Sequence, residues 1–287
     1  MDNNFVRLSD SIRDVSNSLY DNSMGLSTGI YQLDDSISGL HSGLYILAGR
    51  PSMGKSSLML DIALSIGAVA PVAVFSLEMS RSLLIERMIA NESAVNYKSM
   101  KRNLLSSTQM DLVSRTVDNI ESMPIYIDDS SLLTTTHIKA KLDVLRETVD
   151  FKAVMIDYLQ LMCAVTANNR QQEITEISRV LASLSKYYAV PFVVLSQLNR
   201  AVEFRENHRP RLADLRESGS IEQDADVVLL LHRPSYYTIL DNPFATDSGK
   251  AEIIVAKQRN GELSVVNCNW NSQSMSFRDR IVDLESF

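Results

Sequence analysis

From Leu44 onward, short apolar runs alternate with stretches of helical spacing. The runs fall at Leu44–Ala48, Val72–Leu77, Ile125–Ile127, Ala153–Ile156, Phe192–Ser196 and Val227–Leu231, and the helical stretches at Lys55–Ile66, Ser80–Asn91, Thr108–Ile120, Thr136–Glu147 and Gln172–Tyr187. Runs that are apolar on both faces and separated by helices predict an α/β fold: a mostly parallel central sheet covered on both sides. Near the end the rhythm changes, because Ala251–Ala256 and Leu263–Trp270 flank Asn260-Gly261, which predicts a C-terminal antiparallel hairpin. No internal repeat and no low-complexity segment interrupts this order.

At the other end, Phe5, Leu8, Ile12, Val15 and Leu19 recur at steps of three and four, which puts one apolar stripe on a helix over residues 4–21. Ser23, Gly25, Ser27 and Thr28 then make a loop, so residues 1–24 read as a helix set apart from a main domain at 25–287. The stripe needs cover, either from its own domain or from a neighbouring subunit.

Composition narrows the class. With 287 residues and 45% hydrophobic positions the chain can bury a sizeable core, and disorder is excluded. The net charge of -7 means that any contact with nucleic acid must be local. Cys163 and Cys268 lack metal-ligand spacing and read as reduced thiols of a cytoplasmic protein. The most apolar stretch, Ile62–Phe75, is too short for a membrane span and contains Ser65, Gly67 and Pro71. No charged-then-apolar leader opens the chain, and no membrane partner is expected.

The chemistry starts at Gly49-Arg50-Pro51-Ser52-Met53-Gly54-Lys55-Ser56, a P-loop pattern lying between a predicted strand and a predicted helix. Its glycines let backbone N–H groups face phosphates, and the helix N-terminus adds positive potential. Lys55 is placed to reach the β- and γ-phosphates of ATP, with the Ser56 hydroxyl on Mg²⁺. A second magnesium-side group is needed at the end of a neighbouring buried strand. Asp157 closes Val154-Met155-Ile156-Asp157, where an acid is otherwise an expensive choice.

Glu78 follows the strand Val72–Leu77 at the same sheet edge and suits a general base, or else a carboxylate favouring the N-terminus of the helix near Ser80. Gln197 follows Leu195-Ser196, where its amide could sense the γ-phosphate. The segment between Gln197 and Val227 is long for a passive connection. Arg200, Arg205, Arg209, Arg211 and Arg216 lie in its first part, suiting phosphate tracking or a solvated loop with internal salt bridges. Lys257 and Arg259 project on one face near the hairpin tip, either to protect a sheet edge or to bring charge to a neighbour's ATP.

Gly49 to Ser57, Phe75-Ser76-Leu77-Glu78-Met79-Ser80, Ile156-Asp157-Tyr158-Leu159-Gln160-Leu161-Met162, Leu195-Ser196-Gln197-Leu198-Asn199-Arg200 and Asp214-Leu215-Arg216-Glu217-Ser218-Gly219-Ser220-Ile221-Glu222-Gln223-Asp224-Ala225-Asp226 together resemble the motor domain of DnaB-type replicative helicases. The likeness runs in order from about Gly25 to Trp270 and includes Lys257-Gln258-Arg259-Asn260-Gly261.

It implies a RecA-like P-loop NTPase fold, a hexameric ring, 5′ to 3′ movement on single-stranded DNA, and ATP sites shared between subunits. It further implies Glu78 as catalytic base, Gln197 as γ-phosphate sensor, Lys257 and Arg259 as groups given by the neighbour, and Ser57 within the nucleotide loop. Arg216, Glu217 and Gly219, with Arg200, Arg209 and Arg211, become DNA contacts, and residues 1–24 a linker helix docking on the next subunit. The N-terminal helical domain through which family members meet primase or a helicase loader has no counterpart in residues 1–24. Two other readings compete with unwinding: an ATP-switched loader or inhibitor that joins a helicase ring, and a recombination ATPase of the same fold.

Overall fold

The computed structural model describes residues 24–162, 169–242 and 244–280 together with Leu8, Ser9 and Ile12, and for residues 216–220 the backbone alone. A nine-stranded sheet forms its centre, in the order β3-β2-β4-β5-β1-β6-β7-β8-β9. The strands are β1 (Gly43–Gly49), β2 (Val72–Ser76), β3 (Ile125–Asp128), β4 (Ala153–Asp157), β5 (Pro191–Gln197), β6 (Val227–His232), β7 (Lys250–Gln258), β8 (Ser264–Asn271) and β9 (Ser276–Asp279). Strands β1 to β6 pair in parallel, and β7, β8 and β9 add on antiparallel.

The helices are α1 (Tyr31–Ile37), α2 (Lys55–Gly67), α3 (Arg81–Glu92), α4 (Tyr97–Lys101), α5 (Ser107–Glu121), α6 (Thr135–Arg146), α7 (Arg170–Tyr188), α8 (Gly219–Asp224) and α9 (Pro234–Asp241). Several begin where the side chains dictate. Ser106 and Gln109 form a capping box before α5, Thr134 and His137 one before α6, and Asn169 accepts from the Gln172 amide at 2.9 Å before α7.

Alternation along each buried strand sends side chains to opposite faces, so two cores form. Leu47, Met155, Val193 and Leu229 meet Leu58 and Ile62 of α2 on one face, whereas Leu44, Ile46, Ile156 and Val228 meet Ile177 and Leu181 of α7 on the other. Full burial of each such side chain contributes about 1.5–3 kcal/mol, so the sheet's parallel half is a rigid base for whatever its ends carry.

The expected strands and long helices are present. The short elements α1, α4, α8, α9 and β9 escape sequence reading because so few residues carry too little periodicity to separate helix or strand from loop. Strand β9 makes the C-terminal hairpin a three-stranded addition. Its tip at 259–263 carries Gly261, against which the end of the Gln258 side chain packs. The helix expected over residues 4–21 lies almost wholly outside the described residues, but Leu8, Ser9 and Ile12 are helical, with Leu8 75% and Ile12 53% exposed.

Candidate nucleotide and nucleic-acid site

Sheet register brings the candidate residues to one edge. Gly49 pairs with Gln197 across β1 and β5, and Ser76 pairs with Asp157 across β2 and β4. The ends of these strands, with Glu78 just past β2, therefore open together at the carboxyl side, where the crevice of an open parallel sheet lies. Gly54 takes φ 99° at the start of α2, and a Cβ there would meet the Phe277 ring at 2.9 Å, so glycine is required on two counts. Arg233 stacks on Trp270 at 4.4 Å and donates to the Ser52 carbonyl at 3.2 Å, bracing the loop's outer turn.

A cavity of about 500 Å³ is lined by Lys55, Ser56, Glu78, Arg87, Asp157 and Gln197, among others. Burial holds the Lys55 ammonium below its ordinary value, against the pull of the Asp157 and Glu78 carboxylates. The Asp157 carboxyl is raised, mainly by burial, with the Ser56 hydroxyl working against the shift and the Glu78 charge adding to it. Asp157 Oδ2 is buried and has no hydrogen-bond partner. An orphaned carboxylate oxygen beside a serine hydroxyl fits a magnesium ion, which takes one or two carboxylates plus substrate phosphates. Among the described residues no cluster of three His, Cys, Asp or Glu could hold a metal by itself.

Arg87 of α3 belongs to none of the motifs, yet it lines this cavity, and its Nε is buried without a partner. Its signal in the sequence is an arginine within an apolar helix face, between the buried Leu84 and Met88. Gln160, on the turn Leu159–Leu161, accepts from the Gln197 amide at 3.2 Å and donates to Ser196 Oγ at 2.9 Å, which fixes the end of β5. A larger groove of about 660 Å³ lies by Asp61, Asn91 and Arg278. Its polar groups satisfy one another: Asp61 accepts from Arg278 at 2.7 Å, from Asn91 at 2.7 Å and from the Phe277 amide at 2.8 Å.

The P-loop match counts Arg50 among the nucleotide-binding residues, but its side chain turns away from the cavity. The residue is 6% exposed, and its guanidinium engages Glu203 and the Leu198 carbonyl. Only its backbone stays with the loop, and its carbonyl accepts from Lys55 Nζ at 3.3 Å. Met53 is buried, at 1% exposure, and Ser57, at 5%, lines the cavity beside Ser56.

The arginine-bearing segment is more ordered than a loop. It holds 3₁₀ turns at Arg200–Phe204 and Leu212–Ser218, then α8. Arg205 grips the buried Asp214 at 2.5 and 2.6 Å, and Arg209 pairs with Glu252 of β7, so internal salt bridges occupy both. The Arg209 side chain stays partly exposed in this pair, at 37%. Arg200 and Arg211 are exposed, while the side chains of Arg216 and Glu217, and the surroundings of Gly219, lie outside what is described.

Lys257 and Arg259 both fold onto the C-terminus of α8. Lys257 Nζ donates to the carbonyls of Glu222, Gln223 and Ala225, and Arg259 donates to the Gln223 carbonyl at 3.0 Å and pairs with Asp226 at 3.2 Å. Cations suit this end of a helix, where carbonyls lack intrahelical partners. Burial, then the Arg259 charge, lowers the Lys257 ammonium, against the acids around it.

A P-loop heading a doubly covered parallel sheet, with an acid at a nearby strand end and a glutamine beside the loop, defines a RecA-like nucleotide-binding core. A family model described as the DnaB-like helicase C terminal domain matches residues 25–279. The chain belongs to that family. It is 45% identical over 259 residues to the replicative DNA helicase DnaB of Leifsonia xyli subsp. xyli, covering 89% of this chain and 56% of that one. It is 40% identical over 247 residues to the same-named protein of Geobacillus stearothermophilus, covering 84% and 54%. The chain thus spans a little over half the length of these curated relatives.

Among solved structures, one of an ATPase domain aligns with a TM-score of 0.89 at 30% identity, covering 96% of this chain and 100% of that one. Another, described as a DnaB-like replicative helicase and its interactions with primase, aligns at 0.88 and 31%, covering 96% and 68%. No helix among the described residues is long and apolar enough to cross a membrane.

Proposed function

We propose that this chain is the ATP-hydrolysing motor of a replicative DNA helicase, moving 5′ to 3′ on single-stranded DNA as part of a hexameric ring. The observation that carries this reading is the junction at the end of β5: Gln197 lines the nucleotide cavity, and the chain then enters the arginine-bearing segment. Lys55 neutralises the β- and γ-phosphates of ATP, and Glu78 orients and deprotonates the attacking water. Ser56 and Asp157 would hold a magnesium ion, which would neutralise phosphate charge. Arg87, whose Nε is unpartnered, adds positive charge to the same space.

Gln197 bonds the γ-phosphate and passes its loss to the segment beyond, where Arg200, Arg211 and Arg216, with Glu217 and Gly219, meet the DNA backbone. Lys257 and Arg259 leave α8 to complete the neighbour's site. The helix of residues 1–24 docks on the next subunit. Primase and a loader are partners of the assembly, in keeping with the primase interactions of the second solved structure.

The test is ATP hydrolysis with and without single-stranded DNA, joined to unwinding of a forked duplex carrying a 5′ tail. DNA-stimulated hydrolysis with unwinding is expected. Hydrolysis without unwinding points to a filament-forming ATPase, and hydrolysis indifferent to DNA points to a loader-like binder.

A further inference from the structure

Arg50 sits in the P-loop, yet its guanidinium makes its hydrogen bonds to the segment after β5. Nε and Nη2 both donate to Glu203 Oε1, at 2.8 and 2.6 Å, and Nη1 donates to the Leu198 carbonyl at 2.6 Å. The same junction is closed from the backbone, where the Leu198 amide donates to the Gly49 carbonyl at 3.3 Å. Glu203 belongs to the turn Arg200–Phe204, and Arg205, two residues on, is locked on Asp214. Asp214 in turn accepts the Asn199 amide at its carbonyl, at 3.0 Å.

On the nucleotide side, Lys55 Nζ donates to the Arg50 carbonyl. A phosphate at Lys55 competes for that ammonium, so nucleotide and carbonyl act on one residue. One arginine thus joins the phosphate-binding loop to a turn that opens the arginine-bearing segment.

The energetics favour a positioning role over a stabilising one. The side chains are 7% exposed for Arg50 and 43% for Glu203, and such pairs add little net stability over apolar packing because of desolvation. What the planar fork does supply is geometry: it fixes the relative placement of two loops in a way that a lysine's point charge cannot.

Resting on the ATP and single-stranded DNA reading above, we propose that Arg50 is a positioning residue that makes the P-loop and residues 198–214 move as one body, so that nucleotide and DNA affinities depend on each other. The coupling is measured as a ratio of dissociation constants. Nucleotide affinity is determined with and without saturating oligo-dT, using a fluorescent non-hydrolysable ATP analogue, and oligo-dT affinity with and without the saturating analogue. By linkage the two ratios are equal.

Arg50→Ala and Glu203→Gln are expected to move this ratio toward one by about 2- to 30-fold, with Arg50→Lys between them and wild type. In Glu203→Gln the nucleotide affinity without DNA stays near the wild-type value. Weakened nucleotide binding in Arg50→Ala with an unchanged ratio would make the side chain a phosphate ligand and overturn the proposal. A wild-type ratio in Glu203→Gln, whose carboxylate is half exposed and carries little risk to folding, overturns it even if Arg50→Ala fails to fold. A wild-type chain that binds both ligands with no coupling sinks this link alone, whereas one that binds neither ATP nor DNA sinks the functional reading and the link with it.

Discussion

The Leu77 amide donates to the Asp157 carbonyl at 2.7 Å, just past the last paired residues of β2 and β4. This bond sets the spacing of two carboxylates with different surroundings, because Glu78 follows Leu77 directly. Asp157 is pinned in the sheet, buried and short of one partner, whereas Glu78 stands exposed beyond the strand end. A buried acid beside a hydroxyl suits a metal, and an exposed acid across the cavity suits a water.

Glu78→Gln is therefore expected to lower ATP turnover by about 10²- to 10⁴-fold while leaving nucleotide binding near wild type. Steady-state hydrolysis and equilibrium binding of a fluorescent ATP analogue check it. Equal losses in both would assign Glu78 to binding or to the start of α3 instead.

Lys257 and Arg259 cannot hold the carbonyls of α8 and a neighbour's phosphates at the same time. If they act in trans, Arg259→Ala lowers turnover by roughly 10³- to 10⁵-fold. Mixing Arg259→Ala chains with Lys55→Ala chains then restores hydrolysis, because some interfaces pair an intact pocket with an intact finger. A mixture no more active than its parts would confine both cations to their own subunit.

Asp214 is 3% exposed and receives both arms of Arg205 as well as the Arg211 amide at 2.7 Å. Asp214→Ala leaves a guanidinium without its partner and should cost about 2–3 kcal/mol. Single-stranded DNA binding should weaken as well, since the turns at 200–204 and 212–218 lose their shared anchor. Urea unfolding and oligonucleotide anisotropy on one preparation read both effects; intact DNA affinity at reduced stability would detach this anchor from the DNA contact.

Asp61, which does not line the nucleotide cavity, offers a pH test. Burial pushes its carboxyl up to about 6 from an ordinary 3.8, against bonds from the Phe277 amide, Arg278 and Asn91. A folded value above the unfolded one means that the contribution to stability is complete below the ordinary value and is lost as pH rises through about 6. With about two pH units at about 1.4 kcal/mol each, wild type should lose about 3 kcal/mol relative to Asp61→Asn between acid and neutral pH. Denaturant melts of both chains at acid, intermediate and neutral pH measure the difference. A difference constant with pH would mean that the carboxyl titrates normally.

Elements with strong periodicity, and chemistry that depends on fixed spacing, follow from the order of residues alone. β1, α2 and the glycines of the P-loop are one continuous stretch, so local sequence suffices to place Lys55 and Ser56. Asp157 was legible because an acid in a doubly buried strand is costly enough to stand out. Arg87 carries a weaker mark, an arginine on an apolar helix face, and its place at the cavity follows only from the packing of α3.

The partners of long, flexible cations emerge only once the chain is folded. Arg50 turns to Glu203, Arg205 to Asp214, Arg209 to Glu252, and Lys257 with Arg259 to the end of α8. Spacing along a chain says which face a side chain leaves from. Which carboxylate or carbonyl an arginine reaches depends on elements distant in sequence, because a buried charge takes whichever satisfied geometry the packed neighbours provide.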